Sequence, residues 1–242
     1  MTTTRLKPGT LRQRGFSMLE VLVSLTILSL VIAVVVDGIN AMVSRNTVET
    51  SKVDLTQESR QFMDQITNDL HQSGFPTVYM FDPTALVPPA VPGNVNCTLY
   101  ANIACGLITV SQNAIQFEGD VDGTGVSEEW IQLVQTNGPG AVPCAAPPCV
   151  IQRGTVSKAT WIATGTLPPF FTEVNNVMNT NPFTFYDNNG LTVGPLPLNN
   201  AYSLGLNIRS VGITLYVRSS QRDAQTKQFP VVTMVSTAEI KD

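Results

Sequence analysis

Glu20 is the first residue whose chemistry needs an explanation, because it is the one ionisable group between Phe16 and Val36, among Val, Leu, Ile, Met, Ser, Thr and Ala. At 1.5 Å per residue that stretch extends about 31 Å as a helix, roughly one bilayer core. A carboxylate at such depth costs roughly 2.5 kcal/mol or more near the centre and less near an end, so it calls for a cation. Gly15 offers a way to make one. A glycine puts no side chain in the way of a peptidase, and a cut after it creates an amino group on Phe16. That amine is four residues from Glu20 and lies on nearly the same helix face.

Three other sets of residues could do chemistry. Cys97, Cys105, Cys144 and Cys149 all follow the apolar stretch. On the far side of a membrane disulfides are the default for them. Their spacing is not the short paired spacing of a zinc ribbon, and no histidine is near. Cys97–Cys105 with Cys144–Cys149 is the preferred pairing of three, since each bond closes a local loop. Asp120-x-Asp122-x-Thr124-Gly125 partly fits the opening of a calcium loop. The template wants a bidentate glutamate at its twelfth position, which is Ile131, while Glu128 and Glu129 come early. Asp120, Asp122 and Thr124 are therefore weak metal candidates, and a plain Asp/Gly turn is preferred. His71 is the single histidine. With no nucleophile motif around it, a surface or helix-cap role is expected.

These groups need elements to hold them. Arg5, Lys7, Arg12 and Arg14 precede the apolar stretch with no acid among them, and Asp37 follows it. The positive-inside bias leaves the N-terminus cytoplasmic and everything after Val36 outside the cytoplasm. A removed secretory signal fits poorly, because the apolar core exceeds the usual roughly 7–15 residues and bulky Ile39 stands three residues from the best cut, after Ala41. A plain anchor fits the length but leaves Glu20 unexplained. From Phe16 to Ser73 there is no proline and one glycine, Gly38. That permits one helix of about 87 Å, with Gly74-Phe75-Pro76 as its stop. In its second half Leu55, Phe62, Met63, Ile66 and Leu70 form an apolar stripe, with Glu58, Arg60, Asp64 and Asp69 largely between them.

Beyond Pro76 the chain turns rich in Pro, Gly, Asn and Thr. Ala114–Phe117 and Trp130–Val134 predict a hairpin about the turn at 119–125. Thr160–Ala163, Phe183–Tyr186, Gly212–Val217 and Val231–Val235 predict further strands. A long helix followed by antiparallel strands is an α+β pattern, with the helix packed on a sheet domain bearing long loops. Four regions result: a basic leader 1–15, a membrane helix 16–36, an amphipathic continuation 37–75, and a β-rich outer domain 76–242.

Arg14-Gly15-Phe16-Ser17-Met18-Leu19-Glu20-Val21, with a basic leader before it and an apolar run after it, resembles the processing motif of type IV prepilins and pseudopilins. The resemblance implies cleavage by a prepilin peptidase between Gly15 and Phe16 and N-methylation of Phe16. It also implies that Glu20 pairs with the terminal amine of a neighbouring subunit, which sets the register of assembly. A buried ionic group used as a register device is a well-attested role. The Pro182–Gly190 turn, the strand Val211–Val217 and the helix end Ser73-Gly74-Phe75 are similar to those of PilW-like minor pilins and J-type pseudopilins. Where many pilins have a proline this chain has Asp37-Gly38, with Gly38 as a comparable weak point.

The resemblance implies a minor pilin: a structural subunit that assembles or primes a type IV pilus, without enzymatic activity or a cofactor. Its implied partners are prepilin peptidase, other pilin or pseudopilin subunits, inner-membrane lipid and the pilus assembly platform. The expected location is the bacterial inner membrane, with the outer domain periplasmic or extracellular and the mature chain in a pilus or pseudopilus. A type II secretion pseudopilin is the nearest alternative. A membrane-anchored, adhesin-like module is another, using loops around 76–113 and 164–205 with Tyr79, Phe81, Tyr100, Phe170 and Phe171. The 242 residues carry a net charge of −4, and 13% are charged. Without basic clusters past the leader, nucleic acid is not an expected partner. Removing the leader leaves 10 of the 14 basic side chains against 18 acidic ones, so the mature chain is distinctly acidic.

Overall fold

The computed structural model describes residues 16–77, 100–135, 142–199, 207–223 and 226–240. The first element is helix α1, Met18–Gln72. The chain divides into two compact units between Thr47 and Val48, so α1 contributes to both. In the first unit α1 carries exposed apolar side chains all round, among them Leu22, Leu25, Leu28, Ile32 and Val36. The helix is unbroken across Asp37-Gly38.

In the second unit α1 packs on an antiparallel sheet. The strands are β1 (Leu107–Val110), β2 (Ala114–Gly119), β3 (Ser127–Gln135), β4 (Cys149–Ser157), β5 (Phe170–Val177), β6 (Phe183–Tyr186), β7 (Ser210–Arg218) and β8 (Val231–Glu239). They follow the order β1-β2-β3-β4-β5-β7-β6, with β8 also pairing β7. β8 runs the full length of β7, from Ser210 opposite Glu239 to Arg218 opposite Val231. The other edge of β7 is shared: β6 takes Ser210 to Ile213, and β5 meets it at Val177 opposite Val217. This is the pilin-like α+β arrangement expected from the sequence.

The apolar stripe of α1 closes the core on one side of the sheet. Leu55, Phe62, Met63, Ile66 and Leu70 are buried against Phe117, Ile131, Leu133, Ile151 and Ile213, the residues that alternation puts on one face of the sheet. Asp69 departs from the expected pattern, because it is buried rather than part of a solvated face. The helix ends where glycine permits it: Gly74 has φ +85°, and its N–H donates to Glu118 O at 2.9 Å. Gly119 answers from the sheet. A Cβ there would stand 2.8 Å from Gln72 O, so only glycine lets the end of α1 come this close to β2.

The predicted hairpin at 114–134 is present as β2 and β3 in register, Gly119 opposite Ser127. The strand expected at Thr160–Ala163 is instead part of a short helix, α2, Lys158–Thr164. Local capping outweighs the strand propensity of Thr, Trp and Ile there. Ser157 Oγ accepts from Thr160 N, and Gly165 closes the helix in the left-handed region. Trp161 then stacks edge-on to Trp130 of β3, with 5.0 Å between ring centroids. β1, β4 and β5 are strands that the sequence does not predict, β1 and β5 lying in the regions expected as loops around 76–113 and 164–205, whereas β6 is the strand expected at Phe183–Tyr186.

Candidate functional site

Ser17 starts α1. Its backbone O accepts from Glu20 N at 2.9 Å and Val21 N at 3.2 Å, and its Oγ accepts from Leu19 N at 3.3 Å. Serine is a favoured N-cap because its oxygen satisfies a donor that has no partner within the helix. Glu20 therefore stands in the first turn, where the helix dipole favours a negative charge. Gly15 lies outside the described residues. Phe16 and Glu20 are exposed, and among the described residues Glu20 forms no ion pair. A cut after Gly15 would create an amino group on Phe16, four residues from Glu20.

The polar side chains within the apolar stretch are satisfied inside the helix. Ser24 donates to Glu20 O at 2.8 Å, Thr26 to Val23 O at 2.8 Å and Ser29 to Thr26 O at 2.9 Å. Such back-bonding removes most of the cost of a hydroxyl in lipid or in a helix bundle. Glu20 is thus the one group in the stretch whose charge the helix does not satisfy itself. A helix that is apolar on every side needs either a bilayer or other helices around it.

In the second unit, Arg153 on β4 bridges the helix and the sheet. Its Nη2 lies 2.7 Å from Asp69 Oδ2 on α1, and its Nε lies 3.0 Å from Glu129 Oε2 on β3. Thr155 Oγ1 also donates to Glu129 Oε2, at 2.8 Å. Asp69 is 7% exposed and Glu129 1%. Burial pushes both carboxyls above their ordinary range, while Arg153 pulls them back. A second buried set, Glu118, Glu128 and Lys158, lies on the other face of the sheet. Neither set was legible as a site in the sequence.

The remaining candidates have local structural roles. Asp122 Oδ1 accepts from the N–H and the hydroxyl of Thr124, and Asp120 Oδ1 accepts from Gly125 N. These bonds hold Asp122 below the usual carboxylate range. Gly123 and Gly125 both have positive φ, as an Asp/Gly turn requires. Among the described residues no three acidic, cysteine or histidine side chains gather as a metal site. His71 is half-buried in the last turn of α1. It lines neither the cavity of about 510 Å³ beside the 119–125 turn nor the one of about 360 Å³ around Arg153.

Cys144 and Cys149 are joined, with their Cα atoms 5.9 Å apart. Cys105 is disulfide-bonded, and Cys97 lies outside the described residues. Of the aromatic residues singled out for recognition, Tyr79 and Phe81 are outside the described residues. Phe170 and Phe171 stand on β5 rather than on a loop, and Phe171 and Tyr100 are exposed.

In comparison with protein families, residues 10–36 match the prokaryotic N-terminal methylation motif. The match spans Gly15, Phe16, Glu20 and the apolar stretch to Val36. No curated protein and no solved structure matches the chain.

Proposed function

We propose that this chain, whose N-terminal methylation motif is typical of type IV prepilins and pseudopilins, is a minor pilin that assembles or primes a type IV pilus. The motif implies processing by prepilin peptidase and assembly with pilins, and pilin family proteins are structural rather than enzymatic. The apolar N-terminal helix is consistent with an inner-membrane-anchored prepilin. The observation that carries the proposal is Glu20. It is the single acid of the matched apolar stretch, set one turn from Phe16, in a stretch where Ser24, Thr26 and Ser29 are satisfied by the helix backbone.

On this reading residues 1–15 are a leader removed after Gly15, and Phe16 becomes the methylated terminus. Residues 16–36 cross the inner membrane with the leader in the cytoplasm, 37–75 continue the helix, and 76–242 form the outer domain. The apolar stretch first contacts lipid and the assembly platform, then the helices of neighbouring subunits. There Glu20 meets a terminal amine, and neutralising both charges in an apolar bundle fixes the axial register.

A chain with Glu20→Ala should still be cut by prepilin peptidase yet fail to enter filaments. Normal incorporation of that variant would contradict the register role. Deletion should reduce piliation and twitching while leaving protein export intact. The reverse outcome would favour a type II secretion pseudopilin.

A further inference from the structure

Glu118 on β2 and Glu128 on β3 are directly opposite each other in the ladder, on the sheet face away from α1. Lys158, the first residue of α2, extends into the same space. The three side chains belong to residues that are 1%, 2% and 0% exposed, respectively. Charged side chains are almost never this buried, and three together are costly unless their charges are removed. Lys158 Nζ lies 2.5 Å from Glu118 Oε2 and 2.7 Å from Ile103 O. Glu118 Oε2 also accepts from Cys105 N at 2.7 Å. Glu128 hydrogen-bonds Glu118 and accepts from Gln116 Nε2 at 2.9 Å. Burial pushes the Glu128 carboxyl up to about 8, so it holds a proton at neutral pH and donates it toward Glu118.

We propose that Lys158 and Glu118 condense into an intramolecular isopeptide bond, with Glu128 as the proton carrier. Lys158 first passes one ammonium proton to the Glu118 carboxylate with which it is paired, and the lone pair this frees on nitrogen attacks Cδ of Glu118 to form the N–C bond. The Glu118 hydroxyl then takes a second proton, from Glu128, and leaves as water as the C–O bond breaks. Glu128 recovers its proton from the attacking nitrogen. The two protons that the ammonium loses depart in the water with one carboxylate oxygen, so no oxidant, reductant or co-reactant is needed.

The surroundings suit both the reaction and its product. The Cys105 N–H is placed to stabilise the oxygen that becomes negative as nitrogen adds. Fixed contact in a dry site supplies the proximity that condensation in water lacks. In the amide formed, the N–H points to Ile103 O, and the carbonyl keeps the Cys105 donor. Two buried charges become one satisfied neutral group. The bond would tie β2 to α2 across 40 residues, beside the disulfide-bonded Cys105.

The test is peptide mapping and intact mass of the full chain after reduction and alkylation. The expected chain is lighter by one water, and its digest contains a branched peptide joining Glu118 to Lys158. Lys158→Arg and Glu128→Gln chains should both lose no water and have the full mass of their own sequences, the first lacking the nucleophile and the second the proton carrier. A native chain of full mass, or a water loss mapping to any other residue, overturns the proposal even if the variants fail to fold.

Discussion

Replacing Arg153 with alanine tests how α1 is held to the sheet. The substitution leaves Asp69 and Glu129 buried without their guanidinium, at 9% and 2% side-chain exposure. Removing one partner of a buried ion pair costs about 3–5 kcal/mol near neutral pH. For a domain of this size each kcal/mol moves Tm by roughly 2–4 °C, so melting should fall by on the order of 10 °C. The loss should also depend on pH. Burial already holds both carboxyls above their ordinary range, and removing Arg153 raises them further. The folded variant then keeps protons that the unfolded chain releases. Its stability therefore falls as pH rises from the ordinary carboxylate range through the raised folded values. Calorimetry at pH 5 and pH 7.5 should show a small deficit at the first and the full deficit at the second. Adding Asp69→Asn and Glu129→Gln to an Arg153→Met chain removes the uncompensated charges and should restore most of the loss. A deficit under about 1 kcal/mol, equal at both pH values, would refute the argument and mark the triad as a screened surface pair.

Further outcomes follow from the geometry. Gly119→Ala puts a methyl against Gln72 O, at 2.8 Å, and must displace the end of α1. It should cost about 1–3 kcal/mol and speed amide exchange at residues 70–75; unchanged exchange would contradict the close approach. Gly212→Ala meets Tyr186 Cε2 at 2.9 Å. It should turn that ring off β7 and shift its near-ultraviolet signal, and an unaltered signal would show that the ring does not rest there. Replacing Cys144 and Cys149 together with serine opens a loop spanning 5 residues of sequence separation. The cost by loop entropy is about 2 kcal/mol, readable as a lower denaturant midpoint. A rise in that midpoint would mean that the disulfide does not stabilise the head.

The long helix was readable because its signals agree: a proline-free run, an apolar stripe and a Gly-x-Pro stop. The hairpin at 114–134 was readable for the same reason, since alternation and an Asp/Gly turn coincide. β4 escaped because its pattern is broken where the structure needs it broken. Arg153 occupies a core-facing position to meet Asp69, and Gly154 stands where a Cβ would clash with Phe170 and Pro168 at 2.8 Å. β5 escaped because its ladder to β4 shifts register, and Asn176 takes a positive φ within it. At Thr160–Ala163 the β-branched and aromatic residues point to a strand, and the Ser157 cap and Gly165 stop on either side make the segment a helix instead. The buried charge clusters gave no linear signal, since Glu129 meets Arg153 across 24 residues and Glu118 meets Lys158 across 40. The adjacent Glu128 and Glu129 were the available hint, because neighbours in a strand face opposite sides and an enclosed sheet buries both.

Everything proposed about assembly depends on the cut after Gly15. The chain should be expressed with and without an active prepilin peptidase, and the mass of its N-terminal peptide measured. With the peptidase, residues 1–15 should be absent and the new terminus should be Phe16 carrying one methyl group. Without it, the leader should remain. Retention of Met1–Gly15 beside an active peptidase, or a cut at any other bond, would contradict the account.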